Sequence, residues 1–360
     1  MNRRTLLIGA GTLLAAGTGL SAWRRAAGSM ADYEAYSAQL RAAMTSDIAD
    51  VIRYAVLAAN SHNTQPWRFR VTGEAIDILP DFARRTPVVD PDDHHLFVSL
   101  GCAATNLATA ASASGRPGEI AVLPDASGVR YAFASGQPRP EPLLAAIAKR
   151  QSTRADYDGR TVPAADLAKL QAAGAEPGVN LVVVTARAEM AKIGDLVIAG
   201  NSAQMANPAF MRELEQWVRF NPRSAMEMGD GLFSAASGNP SLPTALGRIA
   251  FDHVISAASE NDRYARQIAS SAGLAIFIGD EATSAHWIKV GQACQRFALE
   301  ATRLGLKLAF INQPIEVASL RPELARLIGT AKRPDLVLRF GYGPTLPYAP
   351  RRPASQVLSS

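Results

Sequence analysis

Two short polar segments carry the residue types from which chemistry can be built. Ser61-His62-Asn63-Thr64-Gln65-Pro66-Trp67 supplies hydroxyl and amide groups on a loop braced by proline and tryptophan. Arg150-Gln151-Ser152-Thr153-Arg154 sets two guanidinium forks on either side of a hydroxyl. Forked donors of this kind match the oxygens of a phosphate monoester, so the pair points to a phosphorylated cofactor held between separate parts of the chain.

Other candidates lack partners. His94-His95 follows Asp90-Pro91-Asp92-Asp93, but no third ligand stands at a recognised metal spacing, and the run reads as a solvated helix start. No metal is expected. His253 and His286 are isolated from any Ser or Cys that a hydrolase would need. Tyr348 and Trp217 are open between lining a pocket and packing.

The elements that must position the two segments follow from periodicity. Ser46 to Ala59 reads as a helix with Ile48, Val51, Ile52, Ala55 and Val56 on one face, followed by strands at Trp67–Val71 and Ala75–Leu79. Helices at 141–150 and 164–173 precede a strand at Asn180–Thr185; further strands fit Gly273–Ile278 and Asp335–Phe340. The sum is an α+β fold with mixed β-sheets.

An internal match organises this list. Residues 97–115 and 287–305 align without gaps; Gly101 meets Gly291, Gly115 meets Gly305, and Ala103, Ala108 and Ala111 meet Ala293, Ala298 and Ala301. Each copy reads as a small-residue helix ended by glycine, and small residues let backbones approach closely. Both helices are therefore expected at the centre of an interface between two fused units. Residues 220–245, rich in Gly, Pro, Ser and Met, lack periodicity and read as a lid or as a surface excursion.

At the N-terminus Arg3-Arg4-Thr5-Leu6-Leu7 precedes a stretch without charge from residue 6 to 23, then Arg24-Arg25. This is the pattern of a targeting segment or an uncleaved anchor. Setting residues 1–30 aside removes four arginines and no acid, which takes the formal charge from +5 to +1. With no basic run, nucleic-acid binding loses its electrostatic basis. Cys102 and Cys294 stand in small-residue helical contexts, as two buried free thiols.

Asn63-x-Gln65-Pro66-Trp67, Arg150-x-Ser152-x-Arg154 and Pro314-Ile315-Glu316, in this order, resemble three signatures of the FMN-dependent nitroreductase superfamily across residues 45–353. The His62-to-Trp67 form, the fused halves, the Arg351-Arg352-Pro353 ending and the leader are similar to the Acg-like branch. The resemblance implies a nitroreductase-like pseudo-dimer in one chain: a twin-arginine signal or anchor (1–30), a first half (31–140), a second half with the lid (141–345) and a C-terminal arm (346–360).

It further implies one composite FMN site. Arg150, Ser152 and Arg154 would hold phosphate and ribityl tail, with Gln151 at the ring edge. Ser61 and Asn63 would bond the ring while Gln65 braces the loop. Pro314, Glu316 and Val317 would pass the flavin face and offer a backbone N–H, and Arg351 and Arg352 would return to the phosphate or stay solvated. The flavin carries the redox chemistry, so no catalytic side chain is assigned. Asn60 departs from the usual pattern.

The implied activity is reduction of small electron-poor acceptors, nitroaromatics or quinones. The alternatives are an FMN-storing protein closed by its lid and, more weakly, a relic without flavin. Export through the twin-arginine translocase would place the chain in the periplasm or on the inner membrane, where a membrane quinol or a partner reductase would have to supply electrons.

Overall fold

The computed structural model describes residues 23–359; the twin-arginine pair and most of the apolar leader lie outside the described residues. Three sheets and a set of helices make an α+β protein. The first sheet has strand order β11-β1-β2-β4-β3, with β1 Trp67–Thr72, β2 Ala75–Pro80, β3 Gly118–Val122, β4 Val129–Phe133 and β11 Leu358–Ser359. The second has order β5-β8-β10-β9, with β5 Val179–Val184, β8 Gly273–Gly279, β9 Lys307–Phe310 and β10 Leu336–Gly341. A short parallel pair, β6 Val218–Arg219 and β7 Leu232–Phe233, forms the third.

The helices used below are α1 Met30–Leu40, α2 Ile48–Ala55, α3 His94–Ala113, α4 Arg187–Met205, α5 Pro208–Trp217, α6 Pro222–Met228, α7 Thr244–His253, α8 Ala257–Ala269, α9 Ser284–Arg303 and α10 Gln313–Glu316. Buried Val51, Ile52 and Ala55 show that α2 turns the expected stripe inward, and Asp47 caps it by accepting from Ala49 N–H at 3.3 Å. The β3–β4 hairpin and β9 were not anticipated. The exposed positions of the hairpin leave short, weakly apolar runs that periodicity passes over, and β9 is only four residues long.

At the centre, α3 and α9 cross at their glycines. A Cβ built on Gly101 would stand 1.9 Å from Ile288 O, and one on Gly291 would stand 2.0 Å from Val98 O. The contacts are reciprocal, each glycine meeting the residue three before the other. Nothing larger than hydrogen fits, and this lets the two backbones touch. Both helices are sealed into one continuous core with Trp67, Phe69, Phe277, Phe297 and Phe340. Among the described residues α3 is the helix long and apolar enough to cross a membrane, but it is mostly buried in this core. Gly115 and Gly305, at φ 83° and 77°, end the two helices. Cys102 and Cys294 are free and buried.

His94 and His95 correct the expectation of a solvated helix start. Both are buried, at 1% and 4% exposure. Asp90 is the cause: its carboxylate accepts the N–H groups of His95 and Leu96 at 3.0 Å each, so the first turn folds inward under it. His94 Nε2 lies 3.1 Å from Asp335 Oδ1. Burial pushes His94 down to about 3, with the nearby Arg333 acting in the same direction, and pushes Asp335 up to about 6. Asp90, His94 and His95 also bring one ligating atom each within 4.8 Å of one another.

Candidate functional site

A cavity of about 490 Å³ lies between the 60s loop, the start of α3, the arginine cluster, α10 and the segment 210–255. Of the residues singled out in the sequence, Ser61, Asn63, Arg150, Gln151, Ser152, Arg154, Glu316 and Arg351 line it. The two polar segments do converge.

Arg150 and Arg154 both line the cavity. Burial lowers the pKa of both guanidiniums. Arg150 Nη2 donates to Leu57 O at 2.9 Å, while its Nε is buried without a partner. The Arg154 guanidinium has no hydrogen bond or ion pair among the described residues, and its backbone is held by Gln267 Nε2 donating to Arg154 O at 2.8 Å. Arg41 and Arg263 reach the same cavity from α1's end and α8. Arg41 stacks 4.0 Å over the Tyr348 ring. These two were not found from sequence, because neither belongs to a local pattern. Against five cavity arginines stand Glu260 and Glu316, and burial raises the Glu316 pKa toward the neutral form. The cavity is cationic, and an unpaired buried guanidinium donor fits a phosphate dianion.

The 60s loop is strained. His62, Asn63 and Gln65 sit at φ 44°, 54° and 53°, a region that costs non-glycine residues about 1 kcal/mol or more each. Hydrogen bonds hold it there. Gln65 N–H donates to Asn60 Oδ1 at 2.8 Å, and Gln65 Nε2 donates to Gly229 O at 2.8 Å. Asn60 thus closes the loop, its side-chain oxygen accepting the N–H five residues on.

Four expectations for single residues need correction. Asn63 does not present a free amide to a ring: its Nδ2 donates to Gly231 O at 3.0 Å and Pro350 O at 2.9 Å, and its Oδ1 accepts from Arg351. Gln151 points its amide at the C-terminal stretch, Nε2 donating to Leu346 O at 2.8 Å. Arg351 spends its donors on Val56, Ala58, Asn63 and Pro350, clamping the end of α2. Arg352 is buried but away from the cavity wall, its N–H donating to Gln65 Oε1 at 2.9 Å. Neither arginine is solvated.

The stretch at 314–317 also differs. Pro314 and Val317 do not line the cavity; Asn312, Gln313 and Glu316 do. The short helix α10 explains this, since positions three apart share a face. Its turn consumes the backbone donors: Glu316 N–H goes to Asn312 O at 2.9 Å and Val317 N–H to Gln313 O at 3.0 Å. Glu316 accepts from Gln204 Nε2 at 2.6 Å.

The expected lid is ordered into α6, β7 and the start of α7. Phe220, Leu232, Phe233, Leu242 and, from α5 and α7, Phe210 and Phe251 give the cavity an apolar roof. Trp217 packs outside the cavity between Arg84 and Arg219, whereas Tyr348 is a wall residue. The roof is fastened by Arg219 and Arg84, which share Asp230, and by Arg263 donating to Ser237 O.

The family described as "Nitroreductase family" matches residues 147–343. The chain is 29% identical over 323 residues, 86% of its length and 90% of the relative's, to a Mycobacterium tuberculosis (strain H37Rv) protein named "Putative NAD(P)H nitroreductase Rv3131". Among solved structures it is similar to a nitroreductase with bound FMN from Desulfitobacterium hafniense DCB-2, at 16% identity, TM-score 0.40, covering 62% of this chain and 99% of that one. A second is an FMN-dependent nitroreductase, NfnB of Mycobacterium smegmatis, in complex with NADPH, at 12% identity, TM-score 0.37, covering 56% and 87%.

Proposed function

Since this chain belongs to the nitroreductase family, we propose that its cavity is an FMN site and that the protein is an FMN-dependent oxidoreductase acting on small electron-poor acceptors, nitroaromatics or quinones. The observation that carries this reading is the pair Arg150 and Arg154, both in a cationic cavity, one with an orphaned Nε and the other with no partner for its guanidinium among the described residues. Arg150, Ser152 and Arg154 would hold the phosphate, with Arg41 and Arg263 adding to the positive field. Ser61, His62 and the backbone of the strained loop would face the ring, and Glu316, its pKa raised by burial, would stand on the opposite wall.

When bound, the flavin supplies the two-electron redox chemistry. The chain's own part is to bind, orient and shield. Phe210, Phe220, Phe233 and Phe251 exclude water from the acceptor, and flat apolar walls favour a planar acceptor lying against them. The name of the mycobacterial relative makes NAD(P)H one candidate donor. The leader favours the other, since a chain exported by the twin-arginine route to the periplasm or inner membrane would draw on a membrane quinol or a partner reductase.

The reciprocal glycine contact of α3 and α9 supports an origin by duplication, with units near 31–140 and 141–345 and an arm at 346–360. An Acg-like assignment extends the same reading. One observation favours the storage alternative: the roof is bolted by the Asp230 ion pairs and by Asn63 to Gly231. Absorbance of the purified chain with released FMN measured against protein tests the site: near one per chain supports it, near zero sinks it. Dithionite-reduced protein mixed with nitrofurazone then separates the two functions, fast reoxidation favouring turnover and slow reoxidation favouring storage.

A further inference from the structure

α7 is apolar on both faces. Gly247, Ala250, Phe251 and Val254 line the cavity at the spacing of one helical stripe. On the other side Leu246 and Ile249 are 49% and 57% exposed, and past the helix end Val254 and Ile255 are 72% and 38% exposed. A roof helix needs only its inner stripe; large apolar groups gathered on the outer side mark a docking surface. A neighbouring hollow of about 430 Å³ shares Met205, Met211, Phe251 and Ile255 with the cavity wall. Val254 and Ile255 therefore stand at a mouth, both exposed and lining.

The chain itself indicates the occupant. The uncharged run that begins at residue 6 joins the described structure at Trp23, itself 41% exposed. Two residues later Arg25 O accepts from Arg223 Nη1 at 2.7 Å. Arg223 lies in α6, whose cap Asn221 donates to Leu242 O at 2.9 Å and to Thr244 Oγ1 at 3.1 Å, at the first residue of α7. Residues 23–25 and the start of α7 are thus both tied to α6; Arg24 and Arg25 are exposed, and Arg248 of α7 is exposed while pairing with Glu215 at 3.4 Å. Tryptophan, apolar side chains and flanking arginines together suit a bilayer surface carrying anionic headgroups.

We propose that the outer face of α7 lies on a lipid bilayer and that a lipid-soluble acceptor, of the long-chain quinone class, enters past Val254 and Ile255 at the cavity mouth. The choice of acceptor rests on the flavin reading of the cavity; the docking does not.

The test uses the full chain carrying Ile249→Cys labelled with an environment-sensitive fluorophore, the native Cys102 and Cys294 being buried. Addition of phosphatidylglycerol-containing vesicles should shift the emission to the blue, and brominated lipids should quench it. A chain that floats with vesicles while its label stays aqueous is held by the leader alone and overturns the proposal. So does a blue shift that follows protein concentration without vesicles, which means a second copy covers the face. In the flavin-loaded chain, Leu246→Asp with Ile249→Asp should raise KM about tenfold for a long-chain quinone in vesicles and leave KM for a water-soluble short-chain quinone unchanged. Equal KM values for both quinones in variant and parent overturn the entry route. A flavin-free chain would defeat the enzymatic reading while the label still decides the docking.

Discussion

Arg351 Nη1 donates to Asn63 Oδ1 at 2.5 Å, joining two residues 288 positions apart in a buried contact. Through it the C-terminal arm, the strained loop and the roof become one unit, because Asn63 also holds Gly231 and Pro350 while Arg351 caps the carbonyls after α2. Two residues expected to meet the cofactor thus hold the cavity's shape.

Arg351→Ala should accordingly act on stability before it acts on binding. It strands several buried acceptors, at a cost of about 3 kcal/mol. Thermal unfolding of the flavin-free chain checks this. An unchanged midpoint with lost flavin affinity would return Arg351 to a phosphate-binding role.

Arg154→Ala should do the reverse. Among the described residues its guanidinium has no partner to lose, so the flavin-free chain should unfold within about 0.5 kcal/mol of the parent. Flavin affinity should fall by roughly tenfold to a hundredfold, the value of one charge-assisted bond, and further in the double variant with Arg150→Ala. Titration with FMN followed by fluorescence measures it, and a double variant that stays yellow would refute the phosphate assignment.

Gly101→Ala places a methyl 1.9 Å from Ile288 O, where only a shift of backbone can make room. A loss of at least ~3 kcal/mol is expected, as for severe overpacking. Gly305→Ala is the control: nothing lies within 4 Å, and only φ 77° is strained, at about 1 kcal/mol. Equal effects of the two in urea unfolding would show that the helix contact is looser than drawn.

Stability should fall as pH drops from 7.5 to 6. His94 and His95, held neutral down to about 3 when folded, take up protons near their ordinary value of about 6.5 only after unfolding. Protons bound by the unfolded state exceed those of the folded state, so acid favours unfolding. Below about 6 the folded Asp335 takes up a proton of its own and offsets one of the two. His95→Asn should flatten the slope, by up to about 1 kcal/mol per pH unit near pH 6, where the unfolded imidazole is mostly protonated; a slope unchanged in urea midpoints across this range would contradict the burial of His95.

Much of the site was legible because its signals are local. Asn63-x-Gln65-Pro66-Trp67 needs its residues adjacent in order to make one tight loop, and Arg150-x-Ser152-x-Arg154 is short enough that all three side chains reach one cavity. The glycine pair of α3 and α9 was legible for a similar reason, since a close helix crossing demands small residues at a fixed position along each helix.

What sequence alone determined is which residues could meet a phosphorylated ligand, and that two small-residue helices would touch. Which of those residues remain free to meet it was decided by tertiary structure. Asn63, Gln151 and Arg351 are hydrogen-bonding side chains, as Ser152 and Arg154 are, but folding brings Gly231, Leu346 and Val56 to the first three and no described protein partner to the Arg154 guanidinium. His94 and His95 follow the same logic: surrounded by aspartates in sequence they look solvated, until the Asp90 carboxylate turns the helix start into the core. A hydrogen bond is satisfied by whatever donor or acceptor the fold brings near, and the partners here are tens to hundreds of residues away.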